Sequence, residues 1–294
     1  MFVEAIEKAA GFTRAIHTIV RIWGSDRIIP GSATLFFIND EGWAMTCAHV
    51  AKQIVDGQAV AERFEAFKQE RSKIEPGKNQ RNAVNQLERK FGYKPGEALE
   101  LHTRLIGCVE GTLDLNVNFH PSLDIALLKF SKFTKILCNN YPVFGRSGSD
   151  LKQGKSICRL GFPFPEFTNY GYDTVNDTIG WTSTGNELTP QFPIDGMVTR
   201  HVGDTDGNII AFELSTPGIR GQSGGPAFDT EGRVWGMQSL TKHLDLDFDV
   251  DVEVMRGTKV KRIQESAFLH SGGCIHLDTL KSFMKENGVK FQEG

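Results

Sequence analysis

The sequence predicts a mostly β fold broken once by helices, and three observations carry that reading. Apolar runs of strand length recur along the chain, among them residues 32–38, 125–130 and 209–214, with turn-forming residues between them. Residues 244–254 alternate strictly. Leu244, Leu246, Phe248, Val250, Val252 and Val254 fall on one face, and Asp245, Asp247, Asp249, Asp251 and Glu253 on the other. Residues 51–92 lose the two-residue period and set Val55, Val60, Phe64 and Phe67 among Lys, Gln and Glu, as a surface helix does.

Taken in order, residues 1–15 hold a short helix with Ile6, Ala9 and Ala10 on its apolar face and Gly11 at its end. Residues 15–23 and 32–38 are strands. Asn39-Asp40-Glu41-Gly42 is the turn that returns the chain through residues 43–46. Residues 51–92 form a helical hairpin with Glu75-Pro76-Gly77-Lys78 at its bend. Strands resume at 99–109, 112–119 and 125–130. The second half begins near Val143, with a strand ahead of the Gly161-Phe162-Pro163 turn. Residues 164–193 are rich in Gly, Asn, Thr and Pro and have no period, the mark of a long loop. Strands at 196–199, 209–214 and 233–239 follow. Residues 244–254 are expected as a half-buried strand whose acidic face meets solvent, or attracts basic residues of a substrate or partner. Residues 275–287 form a C-terminal helix, with Asp278 near its start and Gly288 as its stop.

The chemistry gathers at Gly221-Gln222-Ser223-Gly224-Gly225-Pro226, a tight turn between two strands. Glycines on both sides of Ser223 let the backbone bend and let N–H groups turn toward whatever the serine attacks. A hydroxyl is a weak nucleophile, so it needs a base and a group to orient that base. His49 in Thr46-Cys47-Ala48-His49-Val50 supplies the first, and Asp124 in Ser122-Leu123-Asp124-Ile125-Ala126-Leu127 the second. Each stretch alone is weak, whereas their conjunction in the order His49, Asp124, Ser223 is specific. At these three boxes the chain resembles the trypsin-like (chymotrypsin-fold) serine proteases, bacterial-type members such as the heat-shock protease catalytic domain in particular.

The resemblance implies two six-stranded antiparallel β-barrels packed together, with the helical hairpin inserted and a C-terminal helix. It implies an N-terminal barrel over residues 1–142, carrying His49, Asp124 and the insertion at about 51–92. A C-terminal barrel over residues 143–294 carries Ser223. It implies attack by Ser223, proton transfer through His49, orientation by Asp124, and an oxyanion hole made by the N–H groups of Gly221 and Ser223. Pocket walls fall at about 215–220 and 238–242, with Pro217, Arg220, Gln238 and Ser239 as substrate-binding residues. Pro217 lies near where arginine- or lysine-specific members place an acidic floor, while Arg220 or His243 favours an acidic side chain. The residues after Ser223 are too few for the peptide-binding module of the heat-shock relatives.

Composition narrows the setting. A net charge of -3 and a pI near 6.3 give no electrostatic footprint for nucleic acid. Residues 1–10 include Glu4 and Glu7 and lack the apolar core of a signal peptide, and no run is long enough to span a membrane. The five cysteines have neither a disulfide-framework nor a zinc spacing, and Val50 stands where many secreted members of the family carry a cysteine. A cytoplasmic peptidase without cofactor or metal is therefore expected, acting on a protein or peptide substrate. Gln222 has no charge to pair with a newly cleaved N-terminus, so control is expected from the long loop, the insertion, or a regulatory protein partner docked on residues 51–92. The competing reading is a catalytically lapsed or latent protease-fold binding module. An acyl hydrolase of the G-x-S-x-G type is excluded, because His49 comes first in the chain and a strand follows Ser223.

Overall fold

The computed structural model describes residues 1–294, the Arg256 side chain apart. The chain opens with helix α1 (Val3–Phe12), which seats Ala5, Ala9 and Phe12 in the core. Its end is fixed by Thr13, whose hydroxyl donates to the Ala9 carbonyl at 2.6 Å. Then come β1 (Thr13–Ile22), β2 (Ile28–Phe37) and β3 (Trp43–Thr46). Helices α2 (Ala48–Arg71) and α3 (Gln80–Phe91) follow, and then β4 (Ala98–Leu105), β5 (Val109–Phe119) and β6 (Ala126–Ile136). These strands form one six-stranded antiparallel sheet in the order β4-β1-β2-β3-β6-β5.

The second half holds β7 (Val143–Phe144), β8 (Ser156–Gly161), β9 (Tyr170–Asp173), β10 (Thr178–Trp181), β11 (Phe192–Gly203) and β12 (Ile209–Leu214). It ends with β13 (Pro226–Phe228), β14 (Arg233–Arg256), β15 (Lys259–His276), α4 (Leu277–Glu286) and β16 (Gln292–Glu293). Strands β8, β11, β12, β15, β14 and β13 pair antiparallel in a ring, because the short β13 pairs with β8 on one side and β14 on the other. Strands β7 and β16 extend this sheet in parallel, so it counts eight strands where six are expected. The unpatterned stretch before β11 contains its own small two-stranded sheet, β9 with β10.

One apolar core joins the two sheets. Ile16, Leu35, Phe37 and Leu127 from the first share it with Ile157, Phe212, Met237 and Ile275 from the second, and α4 adds Leu280, Phe283 and Met284. Each such side chain contributes roughly 1.5–3 kcal/mol of burial. That shared core fixes the face of one sheet against the other, and the candidate site lies on their seam.

The helical hairpin is present and begins earlier than expected. Helix α2 starts at Ala48, so His49 sits in its first turn. The hairpin has a separate core of Phe64, Phe67, Leu87, Tyr93 and Leu99. Trp23 from the end of β1 stacks on Tyr93 at 4.9 Å and meets Phe67 edge-on at 5.3 Å. Gly92 stops α3 in the left-handed region, φ 74°, where a side chain is disfavoured.

The acidic stretch departs from expectation. Residues 244–254 lie in the outer part of a long β14–β15 hairpin, where the two strands pair only with each other. Leu246, Phe248, Val250 and Val252 are between 44% and 57% exposed, so the strand is not half-buried. A register break between Asp245 and Asp249, with Asp247 at φ 57°, also interrupts the alternation. Alternation reports the pleat, not whether a layer covers it.

Because the hairpin core is separate, Phe67→Ala is expected to loosen the α2–α3 hairpin by about 3–5 kcal/mol. Hydrogen exchange would show lost protection in α2 and α3, with protection of β8, β12 and β14 retained.

Candidate active site

Strand pairing brings His49 and Asp124 together. Thr46 at the end of β3 pairs with Ala126 at the start of β6, which sets the next turn of each strand side by side. Asp124 then accepts from the His49 ring at Nδ1 through both oxygens, at 3.0 and 2.9 Å. It also accepts the His49 backbone N–H at 3.0 Å. On its far side Ser239 Oγ donates to Asp124 Oδ2 at 2.5 Å. Burial works against ionisation of this carboxyl, but the bonds from His49 and Ser239 outweigh it together and hold the group below the usual carboxylate range. The turn carrying Asp124 is itself held by His120, whose Nδ1 accepts from the N–H groups of Ser122 and Leu123 at 3.2 and 3.0 Å.

The serine loop links β12 to β13. Gly221 and Gly224 adopt φ 93° and 85°. A Cβ at Gly224 collides with the Thr34 carbonyl, and one at Gly221 meets the Phe162 carbonyl at 2.5 Å, so no side chain fits at either position. Thr34 on β2 clasps the loop across the seam. Its N–H donates to Ser223 O at 3.1 Å and its hydroxyl to Gly221 O at 2.7 Å. Gln222 is fully buried, accepting from the Ile219 N–H at 3.2 Å and donating to Phe192 O at 3.2 Å.

The backbone donors of the loop divide into two sets. Those of Gln222, Gly224 and Gly225 are used, by Ile219 O, Gln238 O and Gln222 O. Among the described residues those of Gly221 and Ser223 have no acceptor within the protein. Ser223 Oγ donates to Ser239 O at 3.3 Å and not to His49. Ser223 and His49 nevertheless line one cleft of about 540 Å³, bounded by Ala33, Pro163, Arg220 and Gly221.

The structure thus places His49 against Asp124, with Ser223 on the same cleft but not bonded to His49. The four candidate substrate-binding residues separate. Arg220 is exposed and borders the cleft. Pro217 is exposed, and its carbonyl accepts from the Arg159 Nη2 at 3.1 Å. Gln238 is buried and bonds to Arg159 Nη1 at 2.8 Å. Ser239 points its hydroxyl at Asp124, so its side chain orients the carboxylate instead of lining the cleft. His243 lies out on the β14–β15 hairpin, opposite His270 at 2.6 Å. Thr34, His120 and Arg159 carry no motif and are visible only in three dimensions.

Cys47 Sγ, His49 and Asp124 offer donor atoms within 4.8 Å of one another. Burial, followed by the neighbouring Asp124 charge, pushes the Cys47 thiol well above its ordinary value. A metal needs the thiolate, and the thiol here donates to Gln238 O at 3.3 Å, so this trio is a poor metal centre.

The family model described as a trypsin-like peptidase domain matches residues 33–237, more than half of the chain. Among solved structures, the active form of the Rv3671c protease from M. tuberculosis is 13% identical, with a TM-score of 0.48 over 99% of this chain and 86% of that one. An HtrA-type protease with a tripeptide is also 13% identical, with a TM-score of 0.48 over 97% of this chain and 63% of that one. This chain therefore spans less than two thirds of the HtrA-type structure. No curated protein matches it.

A depressed folded-state pKa at Asp124 gives stability that is present above its unfolded value and is lost as pH falls through the folded one. Ser239→Ala removes one of the bonds responsible. The Asp124 carboxyl resonance is then expected to titrate at higher pH, and acid unfolding to begin at higher pH than in the wild type. An unchanged Asp124 titration would rule out this role for Ser239.

Proposed function

The chain belongs to the trypsin-like peptidase domain family, and from that premise we propose that it is a serine endopeptidase with Ser223, His49 and Asp124 as its catalytic triad. The observation that carries the reading is the pairing of Asp124 with His49 Nδ1, in a cleft shared with Ser223 beside two unoccupied N–H groups. Bound to Asp124 through Nδ1, His49 keeps Nε2 for the serine. On substrate binding the Ser223 hydroxyl turns from Ser239 O to His49 Nε2, which takes its proton as Oγ attacks the scissile carbonyl. The carbonyl oxygen becomes an anion received by Gly221 N–H and Ser223 N–H, a pair in which one donor is worth roughly 10²–10³ in kcat. His49 then returns its proton to the leaving amine, and water releases the acyl group by the same steps in reverse order.

The setting and control belong to the same proposal. All five cysteines are free, which supports work in a reducing, cytoplasmic compartment. No helix is long and apolar enough to cross a membrane. The substrate is a protein or peptide, and neither nucleic acid nor a metal cofactor enters the reaction. Gln222 spends its amide inside the loop, which supports an enzyme that needs no inserted N-terminus to order its serine turn. The α2–α3 hairpin touches the 164–193 segment through Lys68 Nζ to Asn176 O at 3.1 Å. Arg21 joins that segment at Asp177, 2.8 Å away, and Glu100 at the Ile179 N–H, 3.1 Å away. A regulatory protein docked on the hairpin thereby reaches the segment whose Pro165 flanks the cleft.

One observation favours the second reading, a latent or lapsed binding module: Ser223 Oγ rests on Ser239 O. A fluorophosphonate probe separates the two. We expect labelling of the wild type that is lost in Ser223→Ala and falls at least about a hundredfold in rate in His49→Ala. Labelling that survives Ser223→Ala would sink the triad, and a wild type that never labels would favour the binding module.

A further inference from the structure

Although the Asp195 carboxylate acts on it from farther off, Arg159 on β8 is a buried charge with no carboxylate in contact. Its side chain is fully buried, yet among the described residues no carboxylate oxygen lies within 4.0 Å of it. The guanidinium donates only to neutral oxygens. These are Gln238 Oε1 at 2.8 Å, Thr216 Oγ1 at 2.6 Å, Thr216 O at 3.2 Å and Pro217 O at 3.1 Å. Its Nε has no partner at all. Arginine does not shed its proton in a protein, so the charge stays, and a buried unpaired charge is costly. Room for it is kept by Gly272, where any Cβ would collide with Nη1.

This cation is linked to the serine loop through Gln238. Gln238 O accepts the Gly224 N–H at 2.9 Å, and the next carbonyl, Ser239 O, holds the Ser223 hydroxyl. A peptide whose carbonyl meets the Gly221 and Ser223 amides has two surfaces to cover. Its leaving-group side faces His49, which must protonate the amine, and so follows the cleft past Val50 and Pro163. Its acyl side we assign to residues 216–218 and 238–241, which lie outside that cleft and are joined by the Thr241 hydroxyl donating to Gly218 O at 2.7 Å. There Gly218 carries no side chain, and a Cβ on it would strike the Gln238 amide nitrogen and lie 2.8 Å from Thr241 Oγ1.

We propose that Arg159 makes this acyl-side subsite selective for an acidic residue, Asp or Glu, immediately before the scissile bond. The proposal rests on the peptidase reading above. Arg159 acts as a positioning residue. It holds Oε1 of Gln238, so the Gln238 NH₂ group is the end that faces Gly218 and the substrate. One of its hydrogens goes to Leu240 O at 2.8 Å, and the other is left for a carboxylate. The guanidinium charge stands one amide behind, in surroundings where its field is weakly screened. A lysine side chain meets repulsion there, and an apolar one leaves the Gln238 donor unanswered.

The test is kcat/KM for peptides that differ only in the residue before the cleaved bond: Asp, Glu, Ala, Leu and Lys. The wild type is expected to favour Asp and Glu over Ala and Leu by about tenfold or more, with Lys last. In Arg159→Met that ratio is expected to fall toward one. The ratio is read within one preparation, so a loss of folded enzyme does not move it. Gln238→Glu is the second variant. It keeps the size of the side chain, gives Arg159 a carboxylate of its own, and is expected to cancel the acidic preference likewise. A Ser223-labelled wild type that cleaves after Ala, Leu or Lys as well as after Asp and Glu overturns the proposal alone. So does an acidic preference that persists in either variant. Neither cleavage nor labelling overturns the peptidase reading with it.

Discussion

The close approach of β2 to the serine loop is the constraint on which the site depends. Thr34 bonds to Ser223 O and Gly221 O, and accepts at its own carbonyl from Thr46 Oγ1 at 2.7 Å. Thr46 is the last residue before the turn into His49. One threonine thus ties Ser223, the Gly221 carbonyl and the approach to His49 into a single unit across two sheets. Backbone comes so near backbone here that Gly224 admits no side chain. The shared core of phenylalanines behind it keeps that distance fixed, since close-packed interiors yield little.

The same seam shows how charge is managed. Asp124 is answered from two sides, by His49 and Ser239, and stays ionised despite burial. Asp229, which unlike the half-buried Asp124 is fully buried, is answered by Trp235 Nε1 at 2.8 Å and by Lys155 and Arg233, both at 3.3 Å. Arg159 has no such reply.

Local features were legible in the sequence and distant ones were not. The Asn39–Gly42 turn, the β3 strand, the helical hairpin and the C-terminal helix follow from period and turn chemistry within a few residues of one another. The boxes around His49, Asp124 and Ser223 were legible because nucleophilic catalysis demands particular side chains on particular turns. The strand that closes the second sheet was not legible from period, since β13 is three residues long and has no pattern of its own; its closure was expected only through the resemblance. Nor was the role of Ser239, which depends on a carboxylate more than a hundred residues away. Residues 244–254 misled for a related reason. Alternation is a property of a strand alone, and burial is a property of what lies over it.

The outer β14–β15 hairpin has a consequence for how the molecule meets its own copies. Two strands with no third beside them leave both edges open, and open edges recruit further strands. The row of aspartates on β14 works as a guard against this. A second β14 laid alongside in either direction sets carboxylate against carboxylate, while Arg262 and its neighbours Lys259 and Lys261 on β15 repel their own kind. The Asp251–Arg262 pair shows that the favoured match lies within the hairpin itself. The acidic strand thus disfavours pairing of one β14 with another, and that repulsion weakens as salt shortens the reach of its charges.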